Sequence, residues 1–363
     1  MLELEYQLHH HNNFEGAVGA SGMMQSNTYN GRLFIPNFKN QGVGAYWIER
    51  FHKGRWQIEA GARLDHRYLQ VYKPENGVVL NPTFRYTNPS VSLGAGYRVN
   101  NALIISAFSG TAWRPPAVNE LFSNGLHHGS ATVEVGDSGL RPESNWNNSI
   151  SAEYRSSKFS GEVSLYHNVL TGFINLVPSG QTSLTIRGAF PTYVYVQQNA
   201  IFKGIDASGK WQTTASTAVL GQLSVVRATQ RGTRNYLSQI PPDRLKTGVE
   251  KQFGTKRIVT FTLSGTYVAR QTRYAKQIVI AQDNGEQTTL TDFAPPPADY
   301  FLLEAEINTT IRLGKQPLFI SLSGTNLLNL RYRSYLNRFR YFSDETGRNL
   351  LLKINVPLTI KKQ

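Results

Sequence analysis

Two histidines and two acids lie close together in the long segment Thr111–Pro142. His127 and His128 are adjacent, and Glu134 and Asp137 follow within the next ten residues. Neutral imidazole is a common ligand of zinc and an axial ligand of haem iron, and carboxylates can complete a metal site. We therefore interpret these four residues as candidate metal ligands. The alternative is that the histidine pair is a polar loop element that hydrogen-bonds to the backbone.

The same segment begins with Trp113 and Arg114, which are followed by two prolines, Pro115 and Pro116. Because proline has no N–H to donate to a sheet, the pair predicts the end of a strand. Trp113 and Arg114 then either face a ligand or only set the direction in which the chain leaves the strand.

The densest group of basic and aromatic residues lies in Asn326–Thr346. It consists of Arg331, Tyr332, Arg333, Tyr335, Arg338, Phe339, Arg340, Tyr341 and Phe342. Arginine pairs bidentately with carboxylate or phosphate and stacks on aromatic rings. Tyr335, Arg338 and Arg340 are therefore candidates for binding an anionic ligand. A rim girdle with extended arginines is the alternative.

Composition narrows the class of protein that can carry these residues. The chain has 363 residues, a net charge of +14 and no cysteine, which excludes disulfides, thiolate metal sites and cysteine nucleophiles. The mean hydropathy is -0.35, and no run of about 18 apolar residues predicts a membrane helix. Basic residues are scattered over the chain, whereas a nucleic-acid-binding domain gathers them on one face. We expect no nucleic-acid partner.

Apolar and polar residues alternate almost from end to end. Trp56, Ile58 and Leu64 share one face of Arg55–Tyr68, and the opposite face is polar. Asn349–Leu358 shows the same period of two, which is the period of a strand. No segment has convincing helical spacing, so the sequence predicts an all-β protein.

Short turns alternate strictly with long connections. Turns such as His52–Gly54 and Ser156–Ser157 separate long segments such as Lys73–Tyr86, Thr111–Pro142 and Thr171–Gly188. In an antiparallel up-and-down sheet this places every long connection at one end, as in outer-membrane barrels. A soluble sandwich would mix the lengths at both ends. We predict a transmembrane β-barrel of about 15 strands.

Four segments, read together, resemble the TonB-dependent receptors of Gram-negative outer membranes, in the form common in Bacteroidota. They are SGTAWRPPAVNELFSNG, GDSGLRPESNWNNSISAEY, PPDRLKTGVEKQF and GTNLLNLRYRSYLNRFRYFSDETGRNLLLKINVPL. The resemblance implies a barrel of about 22 strands with a plugged lumen. By strand polarity Met1 is extracellular, so we expect residues 1–363 to be one N-terminally incomplete barrel domain without the plug.

The resemblance also implies a function. Extracellular loops capture an iron complex (siderophore or haem) or a metal ion, and the TonB complex drives uptake through the plug, without a resident cofactor. Haem- and zinc-uptake members carry histidine in the loop that corresponds to His127 and His128. An anionic siderophore, haem propionates or lipopolysaccharide phosphates would suit the arginine cluster.

A barrel with a structural, lipid-binding or enzymatic role is the alternative function. An enzyme needs a positioned nucleophile and base, and no Ser-His-Asp arrangement stands out in the sequence. We therefore expect a receptor in the outer membrane and no enzymatic activity.

Overall fold

The computed structural model describes residues 1–11, 13–31, 33–233, 235–254, 258–281, 287–314 and 316–357. Its strands are β1 (Leu2–His11), β2 (Phe14–Asn27), β3 (Asn37–Lys53), β4 (Trp56–Glu75), β5 (Val78–Leu80), β6 (Thr83–Arg98), β7 (Leu103–Arg114), β8 (Asn124–His127), β9 (Thr132–Val135), β10 (Glu143–Arg155), β11 (Phe159–Thr185), β12 (Gly188–Thr214), β13 (Thr217–Gln230), β14 (Arg244–Phe253), β15 (Val259–Val268), β16 (Ile278–Ala281), β17 (Gln287–Leu290), β18 (Tyr300–Leu313), β19 (Gln316–Thr325) and β20 (Asn349–Asn355). A short helix, α1, spans Val118–Phe122, and a 3-10 turn spans Arg338–Tyr341.

Among the described residues, eighteen strands form one sheet, and β16 and β17 pair separately. Fifteen of the eighteen follow one another as an antiparallel meander; the other three, β5, β8 and β9, are short strands within the long connections. The predicted all-β, up-and-down architecture is confirmed. Among the described residues, no helix is both long and apolar enough to cross a membrane.

The two faces of the meander differ in polarity. One face, called the outer face, carries exposed apolar side chains such as Leu64. On the inner face of the same strand, Arg63 pairs with Asp65 at 2.7 Å. Aromatic pairs, among them Trp56 with Tyr97 at 4.6 Å between ring centroids, lie at the short-turn end of the outer face. This pattern matches a lipid-facing band bordered by aromatic rings.

The segment Thr171–Gly188, predicted to be a loop, is instead mostly strand. β11 and β12 each have 27 residues and are joined by a two-residue turn. The prediction was wrong because two bulges interrupt the alternation of apolar and polar residues. Each bulge contains a glycine with positive φ, Gly172 in the first and Gly180 in the second, a conformation in which glycine is favoured. Since 9–11 residues cross a bilayer, the hairpin extends about 40 Å or more beyond it.

The long connection between β7 and β10 folds back toward the inner face of the meander. Val118 and Leu121 of α1 are one turn apart and pack with Leu69 and Val71, which are inner-face residues of β4. β8 and β9 form a hairpin, and β9 runs parallel to Thr192–Val194 of β12, between the first bulge and the second. This packing holds the predicted histidine segment at the long-loop end.

Candidate ligand site at the long-loop end

The site is built around the carboxylate of Glu134, whose side chain is only 3% exposed. β9 carries Glu134 beside Tyr193 of β12. His127 Nδ1 lies 2.8 Å from Glu134 Oε1, and Arg338 Nη1 donates to the same oxygen at 2.6 Å. Tyr195 donates its hydroxyl to Oε2 at 3.3 Å. A buried carboxylate needs such partners, because an unpaired charge in this environment is costly.

The hairpin of β8 and β9 orients His127. An ionised carboxylate only accepts hydrogen bonds, so in the neutral imidazole the proton on Nδ1 is donated to Glu134 and Nε2 keeps its lone pair. The imidazole is 47% exposed, and the ring of Phe34 lies beside it with centroids 5.0 Å apart. Gly129 leaves space next to Nε2: a methyl group on its Cα would stand 3.7 Å away. His127 can therefore offer a lone pair to an arriving ligand.

Arg338 connects the final long connection to this hairpin. Besides its bond to Glu134, its guanidinium lies over the ring of Tyr193, 5.1 Å from the centroid. Tyr193 in turn exchanges a 3.0 Å hydrogen bond with the hydroxyl of Tyr341. Residues from three parts of the chain thus meet around β12.

Arg340 forms the buried centre of a second group. Its side chain is 2% exposed and pairs with Asp292, and it lies 4.9 Å from the ring centroid of Tyr335. Tyr341 donates to Asp292 and contacts the guanidinium at 4.6 Å from its own ring centroid. The charge of Arg340 is compensated within the protein, so this arginine holds the connections together.

Burial raises the pKa of tyrosines in both groups. Burial, helped by the charge of Glu134, raises the pKa of Tyr195 to about 12. Burial and the charge of Asp292 raise the pKa of Tyr335 to about 12. The pKa of Tyr341 is raised further, mainly by burial. All three phenols stay protonated near neutral pH and can donate hydrogen bonds.

The other predicted site residues lie elsewhere. Both ring nitrogens of His128 are 3.3 Å from Arg187 Nη1, and Asp137 accepts the N–H of Gly139 at 2.8 Å. The structure therefore brings His127 and Glu134 together, without His128 or Asp137. Within the described part of the chain, no group of three or more His, Cys, Asp or Glu side chains could hold a metal ion.

Arg114 sets the direction in which the chain leaves β7. It binds Glu120 at 2.8 Å and Glu143 at 3.1 Å, and Glu120 also accepts the N–H of Ala117 at the start of α1. Trp113 is opposite Ser144 in the sheet and shares the outer face with Trp146. Neither residue contacts the Glu134 group.

Sequence reasoning missed one face of β12. Tyr193, Tyr195 and Gln197 alternate along the strand and all bind the long connections: Tyr195 also accepts from Asn119 at 2.9 Å, and Gln197 donates to the carbonyl of Arg141 at 2.7 Å. Polar side chains two residues apart, in the strand segment that follows the predicted loop, were the available signal. Arg187 and Asp292 had no such signal.

Strands with an apolar outer face, a polar inner face and long connections packed together at one end are typical of outer-membrane β-barrels. Residues 2–342 match the family model described as TonB dependent receptor-like, beta-barrel. The chain belongs to this family, whose barrels are outer-membrane proteins of Gram-negative bacteria. The family comprises receptors and transporters.

Solved structures share the fold. The copper transporter OprC is 18% identical with a TM-score of 0.75, covering 97% of this chain and 55% of OprC. The FrpB iron transporter from Neisseria meningitidis (F3-3 variant) is 15% identical with a TM-score of 0.66, over 96% and 53%. FpvA of P. aeruginosa, solved with heterologous pyoverdines and iron, is 14% identical with a TM-score of 0.63, over 96% and 46%.

At these identities the similarity shows the fold alone. The chain spans about half the length of these solved proteins. No curated protein sequence matches it significantly.

Proposed function

We propose that this chain forms the barrel of a TonB-dependent outer-membrane receptor, which captures a metal complex at its long-loop end for uptake. Membership of the family supports a receptor role and the TonB partner. Structures of similar fold are named for copper and iron transport. The barrel binds its cargo and performs no covalent chemistry on it.

The observation that carries the proposal is the half-exposed imidazole of His127, whose Nδ1 is bound to the buried carboxylate of Glu134. A hydrogen bond from Nδ1–H to a carboxylate fixes the tautomer and orientation of metal-binding histidines and raises their basicity. Glu134 is thus a positioning residue. Arg338, on the same carboxylate oxygen, holds Glu134 in place.

The number of available ligands indicates the cargo class. A bare zinc ion needs three or four protein ligands, and the described residues contain no group of three or more His, Cys, Asp or Glu side chains that could hold one. A metal complex that carries most of its own ligands and keeps one coordination position open needs only the imidazole of His127. Haem and partly coordinated iron chelates belong to this class.

The charge near His127 favours an anionic complex. The guanidinium of Arg187 contacts the ring of His128, and no acid in the described part of the chain pairs with it. The ring of Phe34 beside His127 offers a flat apolar surface. Carboxylates of the complex would bind Arg187 while the metal binds His127.

Titration of the detergent-purified protein with haemin, ferric siderophores, Cu²⁺ and Zn²⁺ tests the cargo class. We expect one metal complex with an open coordination position to bind more tightly than either bare ion. Tighter binding of Cu²⁺ or Zn²⁺ than of every complex would overturn this assignment.

Gly129→Ala sharpens the test because it keeps both histidines. The new methyl group would stand beside Nε2 without a clash in the free protein, so binding should weaken while the fold is unchanged. Gly139→Ala, in the same connection, is the control. Equal affinity of both variants for the bound complex would place the ligand elsewhere.

Membrane insertion is tested separately. In detergent we expect heat-modifiable electrophoretic mobility and a β-type circular dichroism spectrum. A monodisperse protein without detergent would contradict the outer-membrane assignment.

A further inference from the structure

A row of polar side chains crosses the outer face near the long-loop margin of its apolar side chains. His167 of β11 is directly opposite Lys203 of β12, and Lys203 is directly opposite Arg227 of β13. All three share the outer face with Leu165 and Ile205, which are two residues closer to the short-turn end and exposed. Neighbouring side chains in such a row are about 5 Å apart.

The row carries excess positive charge. Arg227 pairs with Asp243, but Arg273 contacts the same carboxylate at 3.4 Å, so two arginines share one acid. Lys203 is exposed, and no ion pair among the described residues includes it. A basic group that faces the membrane boundary without an acidic partner attracts anionic head groups.

An apolar groove runs along the outer face next to this row. Two rows of outer-face side chains line it: Ala95, Ala107, Ile150 and Leu165 in one row, and Leu93, Ser109, Asn148 and His167 in the row nearer the long-loop end. Ser109 donates to Asn148 at 2.8 Å and accepts from the indole of Trp146 at 3.0 Å. His167 therefore belongs both to the groove and to the basic row.

We infer that this surface binds one phosphorylated glycolipid of the outer leaflet, with the chemistry of lipopolysaccharide. Its phosphate lies between His167, Lys203 and Arg227, and one acyl chain occupies the groove below. Charge complementarity selects the phosphate, and the continuity of row and groove selects a lipid over free phosphate. The inference rests on the proposed outer-membrane location and is independent of the cargo.

Native mass spectrometry of the detergent-solubilised protein with diphosphorylated lipid A tests this inference. We expect a one-to-one complex that inorganic phosphate in excess leaves intact. Lys203→Gln combined with His167→Gln should weaken lipid A binding at least fivefold. Dephosphorylated lipid A should bind the unchanged protein as weakly as diphosphorylated lipid A binds the double variant. Displacement by inorganic phosphate, or equal binding of both lipid forms, would overturn the inference.

Lys39→Gln is the matched control. Lys39 is also exposed on the outer face, beyond the apolar band, but stacks on Tyr72 with 6.0 Å between Nζ and the ring centroid, away from the groove. The Lys39→Gln variant should keep full lipid A binding. An equal loss of affinity in this control and in the double variant would show that lipid A is attracted to basic residues anywhere on the outer face, which would overturn the inference. Heat-modifiable mobility of each variant verifies folding, and retained cargo binding separates this test from the proposed function.

Discussion

The long-loop end and the outer face use basic residues in opposite ways. At the long-loop end Arg338 and Arg340 are bound to acids far away in the chain, and Arg338 is 204 residues from Glu134. On the outer face Lys203 is exposed beside its register neighbours. Compensated charge fixes the conformation of the connections, and uncompensated charge remains available for a partner.

The largest expected effect comes from removing the acid that compensates Arg340. Asp292→Ala leaves a buried guanidinium without a counter-charge, which costs about 3–5 kcal/mol of local stability. Hydrogen exchange of the 3-10 turn Arg338–Tyr341 measures it. Asp344→Ala is the control, because Asp344 pairs with Arg333 and both are more than 40% exposed. That pair contributes about 0–1 kcal/mol, so equal effects would refute the comparison.

Alkaline pH should open the same region. The folded pKa of Tyr335 is about 12, above the usual value of about 10, so the phenol favours the folded state while it is protonated. This contribution, about 3 kcal/mol, is complete below pH 10 and is lost as pH rises toward 12. Hydrogen exchange of the final connection and tyrosinate absorbance should change together. Unfolding already complete at pH 10 would contradict this.

Arg338→Met should separate the final connection from the β8–β9 hairpin. The substitution removes a charged hydrogen bond to Glu134 and costs about 2 kcal/mol. Since the chain has no cysteine, spin labels on cysteines introduced at Ser130 and Phe342 report the distance between the two connections. We expect a broader distance distribution than in the unchanged arginine background. An identical distribution would show that other contacts hold the two together.

The smallest effect is expected for Tyr193→Phe. It removes the hydroxyl pair with Tyr341 but keeps the ring under Arg338, so about 1 kcal/mol is lost. Hydrogen exchange of β9 measures this loss of local stability. A loss as large as the one that Arg338→Met causes would mean that the hydroxyl contributes more than the cation–π contact.

The outer face could be predicted from the sequence because strand faces are encoded locally. Alternation in Trp56–Leu64 alone determines which side chains face outward, and the prolines after Arg114 end β7 as predicted. The strand count of about fifteen followed from the turns in the same way. The upper half of β11 was missed because packing decides there: Val177 is fully buried in a segment whose glycines and proline indicate a loop.

The long-loop end could be predicted only as a set of residue types. His127, Glu134, Arg338, Arg340 and Tyr335 were named as candidates. No local pattern encodes the pairing of Glu134 with Arg338, since tertiary packing brings them together. The separation of His128 and Asp137 from Glu134 depends likewise on the register of the β8–β9 hairpin.

Capture of a metal complex through His127 is tested most directly by comparing His127→Ala with His128→Ala. Affinity for the best-bound complex and the visible absorption of its metal are measured for both variants and the unchanged protein. We predict at least a tenfold loss of affinity and a changed absorption spectrum for His127→Ala, with His128→Ala retaining the original spectrum. An unchanged spectrum and affinity in His127→Ala would contradict the account.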